Sequence, residues 1–135
     1  MPSVVSVILK NNDEILLLKR SNQVRTYRGK WGVVAGYVEP SEVPRETAVK
    51  EIREEVGLQS NEIILQEQLE PVVLTDTSEG KKYEWVIHPF VFIVKNRDKI
   101  RIDWEHVEFR WIKPKDIDTY ETTPGLKEIV KKAVK

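Results

Sequence analysis

The stretch from Gly36 to Leu58, GYVEPSEVPRETAVKEIREEVGL, carries six glutamates, and three of them crowd into EIREE at Glu51, Glu54 and Glu55. Pro44 suits the first turn of a helix, where no N–H partner is needed, and Gly57 stands where a left-handed C-terminal cap is wanted. Between them Ala48, Val49, Ile52 and Val56 recur at three- and four-residue spacing, which predicts one amphipathic helix. At about 100° per residue, Ala48, Ile52 and Val56 fall on one arc, with Glu51, Glu54 and Glu55 on the arc beside it. Like-charge neighbours at this spacing cost roughly 0.2–0.5 kcal/mol each, and the last turns of a helix disfavour anions. Two readings of the helix alone stand side by side. One is a solvated face relieved by the i to i+4 pairs Glu46–Lys50 and Lys50–Glu54; the other is a set of carboxylate oxygens converging from one rigid element on a hard divalent cation.

Working outward, Val4–Leu9 and EILLLKR around the turn NND predict an opening hairpin. The polar, basic segment Ser21 to Trp31 reads as a loop, and WGVVAG as a short strand ending at Gly36. After the helix, EIILQEQL, PVVLTDT, YEWVIHPFVFIV, IRI and FRWIK predict strands separated by the turns SEGKK and KNRDK. PKDID predicts a helical turn, and TPGLKEIVKKAV a terminal helix capped by Thr123, with apolar residues at 126, 129, 130, 133 and 134. Strands outnumber helices, and the helices are separated along the chain. This predicts an α/β (α+β) fold, a mixed β-sheet between helices on both faces.

Composition narrows the function classes. A chain of 135 residues that is 40% hydrophobic predicts a single domain over residues 1–135 with one substantial core. Lys plus Arg and Asp plus Glu balance at 22 each, so there is no basic field for nucleic acid. The absence of cysteine excludes disulfides, thiolate metal sites and a cysteine nucleophile. MPSVVSVILKNN is too short for a membrane span and lacks the marks of a signal peptide, so a soluble cytoplasmic protein is the expectation.

The register of the acidic helix decides between its two readings. Gly36, Glu42, Glu51, Glu54, Glu55 and Gly57 stand at G-x5-E-x8-E-x2-EE-x-G, with Ile52 and Leu58 apolar at their places. This resembles the Nudix hydrolase signature, G-x5-E-x7-R-E-U-x-E-E-x-G-U with U aliphatic, at every fixed position except Lys50, where the family carries Arg. GKWGVVAG before it and EFRWIKP after it are similar to the family too.

The resemblance implies a Nudix-like α/β/α sandwich that hydrolyses a pyrophosphate bond, with Mg2+ or Mn2+, in a nucleotide or nucleoside diphosphate derivative: an NTP, an ADP-ribose-like compound or a dinucleoside polyphosphate. By position it makes Glu54 and Glu55 metal ligands, Glu51 a ligand or the base, the Gly36 carbonyl a further ligand, and Glu42 a supporting carboxylate. Lys50 is a point charge on a flexible stem and cannot copy the two-pronged grip of arginine, so the orientation of Glu51 is less secure. The family's additional late carboxylate, a ligand or base, falls on Glu108 first and on Glu105 second. Arg20, Arg25, Arg28 and Lys30 could grip phosphates, and Tyr37, Tyr27, Tyr83 or Trp85 could stack on a base. Trp31 reads as structural, His106 as a solvated loop residue and His88 as a satisfied strand residue.

Pro71 and Thr75 fail to match the marks of ADP-ribose and dinucleoside polyphosphate subfamilies, and VVAGY replaces the usual LPGG. The alternative is a Nudix-fold nucleotide-binding or regulatory module with little turnover. Neither membrane nor clear nucleic-acid binding is implied, and a homodimer is left open because small members of the family often pair.

Overall fold

Strand β1 (Ser3–Asn11) and strand β2 (Glu14–Arg20) form the expected opening hairpin. It turns through Asn12, whose φ of 56° is a left-handed geometry that asparagine tolerates. In the computed structural model, which describes residues 1–134, these two strands stay paired only at Lys10–Ile15 and Asn11–Glu14. Beyond that they part, and the opening is filled by β3 (Trp31–Gly32) against β2 and β4 (Val34–Tyr37) against β1. WGVVAG is therefore two strands broken at Val33 rather than one, because each half bonds to a different arm of the opened hairpin.

The other edge of β1 runs parallel to β7 (Lys81–Val94), from Ser3–Val86 to Lys10–Ile93. β5 (Ile63–Gln68) and β6 (Val72–Ser78) share the far edge of β7, both antiparallel. β8 (His106–Ile112) lies antiparallel on the outer edge of β2. The result is one mixed, eight-stranded sheet.

Side chains of β1 and β2 alternate between two cores, as the period of a strand requires. Val5, Val7, Leu9, Leu16 and Leu18 join Ala48, Ile52 and Val56 of helix α1 (Pro44–Val56) on one face. Ile8, Ile15 and Leu17 join Leu126, Ile129 and Val130 of helix α2 (Leu126–Ala133) on the other. Strands buried on both faces read as unbroken apolar runs, which is why EILLLKR shows no alternation. The expected sandwich of helix, mixed sheet and helix is thus observed. No helix among the described residues is long and apolar enough to cross a membrane.

Two sequence expectations fail at element ends. IRI is not a strand: Ile100 enters the α1 core and the Arg101 N–H donates to the Val56 carbonyl at 2.9 Å, so the segment closes the end of α1. Helix α2 starts after Gly125 (φ 80°) and has no side-chain cap; the Thr123 carbonyl, not its hydroxyl, accepts from the Leu126 N–H. The cap of α1 is as expected, with Gly57 at φ 75° donating to the Arg53 carbonyl at 3.1 Å.

Candidate active site

The acidic face of α1 lies against β4, and the distance between them is set at Gly36. A Cβ built there would stand 2.5 Å from Cδ and 2.7 Å from Cγ of Glu51, too close for Glu51 to keep its place, so a side chain at that position would displace the carboxylate. Glu51 is thereby half-buried under the β4 backbone. One helical turn on, Glu55 is only 2% exposed; Oε1 sits 3.5 Å from the Ala35 N–H, while Oε2 is buried with no partner. Burial first, and then the adjoining Glu51 carboxyl and the nearby charge of Glu105, push the Glu55 carboxyl well above the usual carboxylate range. Burial also raises Glu51, against the pull of the adjoining Glu55 carboxyl. Glu54 is exposed on the same face.

Glu105 completes the group from the segment before β8. It is near enough to raise both Glu51 and Glu55, and it is itself raised by burial and then by Asp103. Its carbonyl is anchored by the Ser21 N–H at 2.8 Å. Arg20 is the cation facing it: its Nε donates to the Thr26 carbonyl at 3.0 Å, and burial lowers its pKa while Glu105 and Glu55 hold it up.

Lys50 is committed elsewhere. Its Nζ lies 2.7 Å from Glu42 Oε2 and 4.0 Å from Glu51 Oε2. Glu42 also accepts from Thr47 Oγ1 at 2.8 Å and from the Glu39 N–H at 3.2 Å, and the bond to Lys50, then that to Thr47, lowers its pKa. Glu42 is therefore the salt-bridged support that the sequence implied, and Glu51 receives only a distant charge.

Beside the carboxylates opens a cavity of about 390 Å3. Arg20, Gly36, Tyr37, Glu51 and Glu105 line one end, Val33, Ile87, Leu126 and Ile129 the apolar floor, and Tyr27 and Trp85 a wall. Trp85 stacks on Tyr83 with centroids 5.3 Å apart and planes 5° apart, and Tyr27 tilts onto both. The Tyr27 hydroxyl donates to Asp76 Oδ2 at 2.7 Å, tying the basic loop to β6.

Several candidates are not brought here. Glu108 pairs with Arg110 at 2.8 Å and, two residues from Arg110 and four from Ile112, shares the α2 face of the sheet, opposite the acidic helix. Glu105 lies ahead of the strand, so the alternation of β8 does not bind it. Arg25 and Arg28 are exposed and do not line the cavity; Arg28 Nε turns back onto the Val24 carbonyl at 2.7 Å. Lys30 pairs with Glu121 at 2.7 Å. Trp31 is core, edge-on to Tyr120. His88 lies within β7 opposite Val5. His106 is buried, with Nδ1 3.3 Å from Asp103 Oδ1, rather than a solvated loop residue. Asp76 went unnoticed in the sequence; its only signal was its place across from Tyr83 in a predicted hairpin.

Among the described residues, no three acidic or histidine side chains are already closed around one point. The donor set nevertheless fits a hard divalent cation. An orphaned buried carboxylate oxygen, a second carboxylate pressed beneath a glycine and an exposed third supply only oxygen ligands, the kind Mg2+ and Mn2+ take.

A family model described as the NUDIX domain matches residues 1–133. Nucleoside triphosphatase NudI of Escherichia coli K12 is 28% identical over 126 residues, covering 88% of this chain and 86% of that one. The MutT protein of Methanosarcina mazei Go1 superposes with a TM-score of 0.78 at 26% identity, over 97% of this chain and 91% of that chain. The E. coli dihydroneopterin triphosphate pyrophosphohydrolase reaches 0.81 at 18% identity, over 98% and 94%, a likeness of fold alone.

Proposed function

This chain belongs to the NUDIX family and is a hydrolase of phosphoric anhydride bonds, and from that premise we propose that it cleaves the pyrophosphate linkage of a nucleotide or nucleoside diphosphate derivative with the help of Mg2+ or Mn2+. Nucleoside triphosphates are the first class to test, since a nucleoside triphosphatase is among its relatives. The observation that carries the reading is Glu55 Oε2, a buried carboxylate oxygen without a partner beside Glu51. A fold leaves such an atom unpaired only at a cost, and a cation is the partner that the surrounding acids would suit.

In this proposal Glu51, Glu54, Glu55 and the Gly36 carbonyl hold the cation. When bound, the cation would offset charge on the diphosphate and make an attacking water easier to deprotonate. Glu51 is one candidate to take that proton and Glu105 the other; burial shifts both upward, in the direction that strengthens a carboxylate as a base. Arg20 grips phosphate oxygens at the cavity end, while Tyr27, Tyr37 and Trp85 take the planar base. Lys50 acts through Glu42, as a positioning residue. Glu105 takes the role that sequence spacing assigned to Glu108. Residues 1–135 act as one cytoplasmic domain on a small-molecule substrate.

The test is a panel of NTPs, ADP-ribose, NADH, nucleotide sugars and dinucleoside polyphosphates with Mg2+ or Mn2+. Release of phosphate or pyrophosphate, lost by roughly 10²–10⁴-fold in Glu51→Gln, is the expected outcome. No release from any compound, or activity indifferent to Glu51→Gln, would overturn the proposal.

A further inference from the structure

The backbone of Glu105 is tied down on both sides. Its N–H donates to Asp103 Oδ1 at 3.2 Å, and its carbonyl accepts from the Ser21 N–H at 2.8 Å. The same Asp103 oxygen lies 3.3 Å from His106 Nδ1, and the Asp103 carbonyl accepts from the His106 N–H at 3.2 Å. A carboxylate oxygen only accepts, so Nδ1 carries the proton of that contact. One aspartate thus holds two successive residues, and buried His106 gives it a fixed anchor.

An aspartate bonding to the N–H two residues ahead is an ordinary turn, but this one sits where the strand register breaks. In the ladder of β8 to β2, Glu108 faces Lys19 and the next pair is His106 with Arg20, so Val107 is bulged out and stands 61% exposed. Directly opposed residues of an antiparallel pair share a face. Arg20 follows Leu16 and Leu18 at two-residue spacing, on the α1 side. In an unbroken ladder Val107 would oppose Arg20, and His106 would fall with Glu108 on the α2 side. The extra residue turns His106 to the α1 side, and the turn through Asp103 and Glu105 comes with it. Bulges re-aim side chains in this way beside active sites. Glu105 accordingly lines the cavity end with Arg20 and Glu51, near enough for its charge to raise Glu51 and Glu55.

We infer that Asp103 is a positioning residue: with His106 and the Val107 bulge it fixes the backbone of Glu105 so that the Glu105 carboxylate is held beside the acids of α1. The inference rests on the proposed hydrolysis, in which Glu105 is a candidate to take the proton from water. A base already fixed in place does not have to be ordered during the reaction, so the loss of its support falls on turnover more than on binding.

Asp103→Ala removes the accepting oxygen, whereas Asp103→Asn keeps one, since an amide carbonyl also accepts. Amide hydrogen exchange read by NMR should be about tenfold faster at Glu105 in Asp103→Ala than in the native chain, and near native in Asp103→Asn. With whichever compound of the panel is cleaved, Asp103→Ala should lower kcat about tenfold with KM within about twofold. Asp103→Asn should recover most of that loss. In a Glu105→Gln background Asp103→Ala should lower kcat no further, because it acts only through the Glu105 carboxylate. The inference is overturned if exchange at Glu105 is indifferent to Asp103→Ala, if Asp103→Asn recovers nothing, or if the two losses multiply in the double variant. A chain whose hydrolysis depends on Glu51 but ignores Asp103 keeps the proposed function and loses this inference; a chain that hydrolyses no compound loses both.

Discussion

At Glu55 a carboxylate that is 2% exposed has one oxygen 3.5 Å from the Ala35 N–H and the other without a partner. Burial, then the adjoining Glu51 carboxyl, raises its pKa, so the folded chain binds that proton more tightly than the unfolded chain does. The stability contributed by protonation is complete below the ordinary carboxylate range and is lost as pH rises through the raised folded value. In a chelator, Glu55→Gln should therefore melt about 3–6 °C above the native chain near pH 8, and the gap should shrink toward pH 5; a gap that widened in acid would refute the assignment. Glu51 and Glu105 shift in the same direction and His106 in the opposite one, but the comparison at Glu55 isolates a single group. Lys50 offers a second test. Arginine there has the fork to hold Glu42 and reach Glu51 together, so Lys50→Arg should raise kcat roughly two- to fivefold with KM unchanged. A fall in kcat would mean that the lysine serves Glu42 alone. The sequence placed Glu51, Glu54, Glu55 and Lys50 on one helix, because a helix has one period. It ranked Glu108 above Glu105 because spacing along a chain does not say which face of a strand a side chain takes.

Between elements, the site depends on how close β4 runs to α1. The opened β1–β2 hairpin admits β4 as a neighbour of β1, through Val4–Tyr37 to Val7–Val34, and this carries Gly36 over Glu51. Gly36→Ala would push its Cβ into Cγ and Cδ of Glu51, atoms near the end of a flexible side chain, so the helix can yield without unfolding. The expected outcome is a kcat at least roughly tenfold lower with melting within about 3 °C of native. Full activity in that variant would show that the position of Glu51 under β4 is immaterial. Helix α1 itself was legible to its ends, since Pro44 and Gly57 punctuate it locally. The division of WGVVAG was not, because it follows from two pairings with strands on either side.

At the scale of the molecule, the two sides of the sheet are unlike. The α1 side carries the acids, while the α2 side contributes Leu126 and Ile129 to the cavity floor. A cation held by the acids should stabilise the whole fold by mass action, about 2.7 kcal/mol at a hundredfold excess over Kd. Mg2+ should therefore raise the melting temperature of the native protein by several degrees and leave Glu54→Gln/Glu55→Gln unmoved. Equal shifts in both would place the ion elsewhere.

The sequence by itself determined the acidic helix, its cap, the apolar strands and the register of Gly36, Glu42, Glu51, Glu54 and Glu55, because each is a local period or spacing that the backbone enforces wherever the helix lies. Only the tertiary structure decided that Glu105 rather than Glu108 joins the acids. It likewise brought Arg20, at the end of β2, to the cavity while leaving out Arg25 and Arg28 of the basic loop, tied Tyr27 to Asp76, and left one oxygen of Glu55 without a partner. Those outcomes turn on which strands become neighbours and which face each presents, and on burial that no single element possesses.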